Sequence, residues 1–100
     1  LEKTFVIKPI YFGNGDGPSE IRMYLVFNTH NPMVNEFNSL VPNFIIRGKH
    51  SIMDDLTKYF HDHGIPASDW RISTPTFAKM NQYDEFIPSE IDIIDAGDVA

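Results

Sequence analysis

Residues 4–29 read TFVIKPIYFGNGDGPSEIRMYLVFNT, and the parsing of this stretch decides the fold. An extended apolar arm from Thr4 to Phe12 is interrupted by GNGDGPS and resumes from Glu20 to Thr29. The second arm alternates, with Ile21, Met23, Leu25 and Phe27 on one side and Arg22, Tyr24, Val26 and Asn28 on the other. A period of two marks a strand with one face in a core. Between the arms stand residues that tolerate positive φ or fix a bend. The stretch therefore predicts a β-hairpin, with its connection over Gly13 to Ser19. The Leu25 and Phe27 side is expected to meet the core, and the Tyr24 and Val26 side to offer a partner surface.

The first arm is apolar on both faces, with Phe5, Ile7 and Tyr11 on one and Val6, Ile10 and Phe12 on the other. Such a strand is covered twice or meets another subunit. Pro9 lacks the ladder donor, so the arm is expected at a sheet edge or bulged at that residue. An apolar edge strand is a docking site for another chain, which makes a homodimer paired through the first strand one reading of the molecule.

Downstream of the hairpin, Asn31 as N-cap and Pro32 at the first helical position predict a short helix ended by Pro42. Asn43 to Arg47 reads as a strand closed by Gly48. The best helix covers about residues 51–63. Ser51 is its N-cap with Asp54 in the capping-box place, and Gly64 and Pro66 stop it. Ile52, Met53, Leu56, Tyr59 and Phe60 form its apolar stripe, while Asp55, Lys58 and Asp62 are expected in water. Trp70 to Thr74 predicts a strand. After Pro75 the chain reads either as a helix through Phe77, Met80 and Tyr83 or as an irregular loop. Ile91 to Ile94 is a last extended segment. The fold class is α+β: one domain spanning residues 1–100, with a small, mainly antiparallel sheet built on the hairpin and one principal helix packed on it. Leu56 and Phe60 are expected to face Leu25 and Phe27.

An apolar fraction of 42% in 100 residues suffices for one core. The chain has no cysteine, which excludes disulfides, thiolate metal sites and cysteine nucleophiles. No apolar run approaches the ~20 residues of a membrane-crossing helix, so a cytoplasmic protein without a membrane role is expected.

The net charge of −6 is localised. All 8 Lys and Arg residues precede residue 80, whereas the segment 80–100 carries Asp84, Glu85, Glu90, Asp92, Asp95 and Asp98. These carboxylates alternate with Tyr83, Phe86, Ile87, Ile91, Ile93 and Ile94, so the segment is not purely solvated. It is read either as a solubilising end or as an electrostatic contact for a basic partner. Without a basic-aromatic stripe, direct nucleic-acid binding is not expected.

Motifs for chemistry are sparse. The glycine-rich turn lacks the Gly-Lys-Ser/Thr of a phosphate loop and the distal ligands of a calcium loop, so neither cofactor nor metal is expected there. His50, Asp54, His61, Asp62 and His63 form one acid-base or metal-type group in sequence. On a helix, however, His61 and His63 lie roughly 200° apart and cannot share an ion. Ser51 and Ser68 stand near histidines but outside any nucleophile elbow.

The leading expectation is a non-enzymatic interaction protein, with no catalytic or metal-binding residue. Asp84, Glu85, Glu90, Asp92, Asp95, Asp98 and Tyr24 would contact a basic protein surface, as small acidic inhibitors and accessory proteins of mobile genetic elements do. The alternatives are a metal-assisted or acid-base enzyme using His50, Asp54 and His61 or His63, and a homo-oligomeric subunit.

Overall fold

A computed structural model describes residues 4–14, 17–29 and 41–96. The architecture is α+β, as the sequence predicts. It is a six-stranded mixed sheet with one main helix and shorter 3-10 turns. The strands are β1 (Phe5–Asn14), β2 (Gly17–Asn28), β3 (Phe44–Gly48), β4 (Trp70–Ile72), β5 (Thr76–Lys79) and β6 (Asp92–Asp95). Their order is β4-β1-β2-β3-β6, with β5 also on β1. The expected short helix after Asn31 lies outside the described residues.

β1 and β2 form the predicted antiparallel hairpin, and their ladder runs on to the pair Asn14 and Gly17. Most of the stretch expected as a loop is therefore ladder. The register shifts between Tyr11 and Gly13, a bulge that absorbs the extra residues on β2.

β1 is not the expected edge. β4 pairs with it in parallel over Phe5–Ile7 and β5 over Ile10–Gly13, opposite the β2 side. Pro9 falls in the gap between those two ladders. The Ile7 carbonyl accepts the Ser73 amide on that side, and strand alternation turns the Pro9 nitrogen the same way. The missing donor thus costs no ladder bond. Homodimerisation through the edge of β1 would require displacing β4 and β5.

Helix α1 (Ile52–Asp62) begins where predicted, with the Ser51 side chain accepting the Asp54 amide. It ends in a Schellman-type turn. Gly64 takes φ +69°, the left-handed region that favours glycine, and Ile65 donates to the Phe60 carbonyl.

The helix lies on the other side of the sheet from the one expected. Leu56 and Phe60 pack with Ile7, Tyr24, Val26, Ile46 and Trp70. Met23, Leu25 and Phe27, with Ile10, Phe12 and Ile45, are covered by the C-terminal segment through Met80, Tyr83, Phe86, Ile87, Ile91 and Ile93. That segment is neither helix nor loop at its start. Residues after Pro75 form β5 and then a 3-10 segment, Met80–Phe86, capped by Gln82 accepting the Lys79 amide at 2.9 Å.

Topology accounts for the two covers. β1, β3, β4, β5 and β6 are mutually parallel, through the antiparallel β2 between β1 and β3. The chain crosses from β3 to β4 through α1, and back from β5 to β6 through the 3-10 segment. Crossovers between parallel strands share one hand. Two that traverse a sheet in opposite directions must then use opposite faces.

Candidate functional site

Of the carboxylates expected at a partner surface, four are exposed: Asp84, Glu85, Glu90 and Asp92. Asp84 and Glu85 sit on the 3-10 segment, and Asp92 opens β6. Glu90 lies between them with φ 68°, among the described residues the one non-glycine with positive φ. A left-handed L-residue costs roughly 1–2 kcal/mol relative to a residue without a Cβ, so this turn holds a glutamate where glycine would be less strained. Among the described residues none of the four makes an ion pair.

The segment that carries them is anchored. Phe12 meets the Tyr83 ring at 5.1 Å and the Phe86 ring at 5.8 Å, and β6 pairs in parallel with β3.

Asp95 has a different role. Its two oxygens accept from Nε and Nη2 of Arg47 at 2.7 and 2.9 Å, directly across the β3–β6 ladder. Arg47 also donates weakly to the Tyr83 hydroxyl, at 3.4 Å. Hydrogen bonds from Arg47 hold the Asp95 carboxyl below its ordinary range, and the charge of Lys49 acts the same way. The bonds to Asp95 and then Tyr83 keep the Arg47 guanidinium charged. Asp98 lies outside the described residues.

Tyr24 is not on a partner surface. It is wholly buried beneath α1, where its hydroxyl donates to Asp55 at 2.6 Å. Burial, followed by that hydrogen bond, pushes the phenol above its ordinary pKa. Asp55, expected in water, is 2% exposed and also accepts the His50 amide at 3.3 Å. It was legible in the helix periodicity: Ile52, Asp55, Leu56, Tyr59 and Phe60 follow the i, i+3, i+4, i+7, i+8 pattern of one face. Met53, placed in that stripe by sequence, is half exposed instead.

The histidines divide. His50, Asp54 and His61 line a groove of about 580 Å³ along α1, together with Lys58 and Asp55. His63 leaves the group, since it stacks on Tyr59 at 4.1 Å and its Nδ1 lies 2.8 Å from the Tyr59 carbonyl oxygen. Among the described residues no three His, Asp or Glu side chains gather as a metal site.

A second groove, of about 690 Å³, opens where β3 and β6 end. Ile21, Met80 and Tyr83 line it together with Arg47, Gly48, Lys49, His50 and Asp95. The sequence reading missed it because its members come from four separate stretches. The Arg47-Gly-Lys-His run was its one local signal.

No helix of the described residues is long and apolar enough to cross a membrane. Comparison with protein-family models, curated proteins and solved structures gives no match.

Proposed function

We infer that the chain is a non-enzymatic protein-interaction domain that presents fixed carboxylates to the basic surface of a larger partner. One observation supports this reading. Asp84, Glu85, Glu90 and Asp92 are exposed on a segment packed into the fold, in a region without Lys or Arg from residue 80 onward. Carboxylates on a fixed frame need little ordering on binding, which favours affinity. They complement a cationic surface, including one that otherwise holds phosphates. Asp95 and Tyr24 are not part of this face, because each is committed to an internal partner.

The test uses full-length protein, since ending the chain at Ser89 would remove β6 and part of the core with it. Wild type and the quadruple variant Asp84→Asn, Glu85→Gln, Glu90→Gln, Asp92→Asn are used as affinity baits in native extract, at about 0.05 and 0.5 M salt. The reading expects a stoichiometric basic partner held by wild type at low salt and lost with salt. The variant, melting as wild type does, should lose about tenfold or more of that binding. Equal capture by both baits at both salt concentrations would refute it.

A further inference from the structure

The groove at the ends of β3 and β6 has a charge and shape that the acidic face does not explain. It is lined by the Arg47–Asp95 pair, by Ile21, Met80 and Tyr83, and by the consecutive residues Gly48, Lys49 and His50. At about 690 Å³ it falls within the range of small-molecule sites, which combine apolar walls with a few convergent polar groups.

The polar groups decide what fits. Asp95 neutralises one of the two fixed cations, and Lys49 is exposed without an ion pair among the described residues. A guanidinium carries five N–H donors. Nε and Nη2 each spend one on Asp95 and Nη1 spends one on Tyr83, which leaves one on each terminal nitrogen. His50 and Tyr83, also in the lining, add further hydrogen-bonding capacity. The groove is therefore a site of one net positive charge on a chain of net charge −6.

We propose that this groove binds a small organic monoanion, an apolar or aromatic carboxylate, whose charge meets Lys49 and the free donors of Arg47 while its body lies against Ile21 and Met80. A single negative charge balances the residual positive one. A dianion would carry an uncompensated charge toward Asp95. The ligand carboxylate cannot take the full fork of Arg47, because Asp95 already holds it, so Lys49 supplies the principal contact and sets the specificity for an acid over its neutral analogue.

The probe is 2-naphthoate, titrated into the full-length protein and followed by backbone amide shifts and calorimetry. Saturable one-to-one binding is expected below about 1 mM, with shifts at Gly48, Lys49, His50 and Tyr83. The neutral analogue 2-naphthylmethanol should bind about tenfold more weakly or worse, and so should 2-naphthoate to Lys49→Gln. Lys49 is exposed, so that variant should melt as wild type does. Lys58→Gln, a cation in the other groove, should bind as wild type does. The proposal is overturned if wild type shows no saturable binding to that concentration, if alcohol and acid bind alike, or if Lys49→Gln leaves affinity unchanged.

Discussion

Gly48, Asp55 and Tyr24 join the helix to the sheet through single atoms. A Cβ on Gly48 would collide with the Asp55 carboxylate, which Tyr24 and the His50 amide hold in place. Gly48→Ala should therefore cost about 2–3 kcal/mol in denaturant unfolding, from overpacking and a displaced buried carboxylate. Tyr24→Phe leaves the carboxylate buried with one donor fewer, and about 1–3 kcal/mol should be lost. The same pair fixes an alkaline limit. Tyr24 keeps its proton in the fold above the ordinary value of 10.0, so the unfolded chain binds fewer protons once pH passes that value. Its contribution is complete below about pH 10, then falls by up to about 1.4 kcal/mol per pH unit as pH rises toward the folded-state value. Stability measured against pH should show this limb in wild type and a shallower one in Tyr24→Phe. The Asp95–Arg47 pair acts at the other end. It contributes above the ordinary carboxyl value of 3.8 and fades as pH falls through the lowered one. With both side chains about 40% exposed, solvent screening keeps that share small.

At the scale of elements, the hairpin, α1 and β3 were legible because each carries a local signal. Those signals are alternation, a capped helical stripe, and a short apolar run between Pro42 and Gly48. The face that α1 covers was not. β2 is apolar enough on both sides to be buried twice, and alternation alone ranks Leu25 and Phe27 above Tyr24 and Val26. What selects the Tyr24 side is the direction of the β3-to-β4 crossover, which is not written in β2, together with the Tyr24 hydroxyl, whose acceptor Asp55 lies on α1. Pro9 misled for a related reason, since a proline needs only a missing neighbour at its own nitrogen and β4 and β5 leave that gap. The packing assignment is tested by paired substitutions. Leu56 has no exposed surface, so Leu56→Asp should abolish cooperative unfolding, while Leu56→Ala should cost about 2–5 kcal/mol. Phe77 is 78% exposed and keeps a ring contact with Tyr11 at 5.5 Å, so Phe77→Ser should cost only about 0.5–1.5 kcal/mol.

For the whole molecule, the distribution of charge follows from the second crossover. The chain returns from β5 to β6 across the face opposite α1, and its apolar residues cover Met23, Leu25 and Phe27 while its carboxylates remain in solvent. The interleaving of acids with isoleucines and aromatics announced this packing. The assignment of Asp95 to Arg47 was hidden, because the two are brought together only by the β3–β6 register. The acidic face requires its segment to be a fixed part of the fold, and native-state amide hydrogen exchange across β6 measures that directly. Amides of Asp92–Asp95 engaged in the β3 ladder should open with free energies approaching that of global unfolding, as core strands do. Exchange of all four at the rate of an unstructured chain would mean that the carboxylates ride on a loose tail, and it would contradict the account.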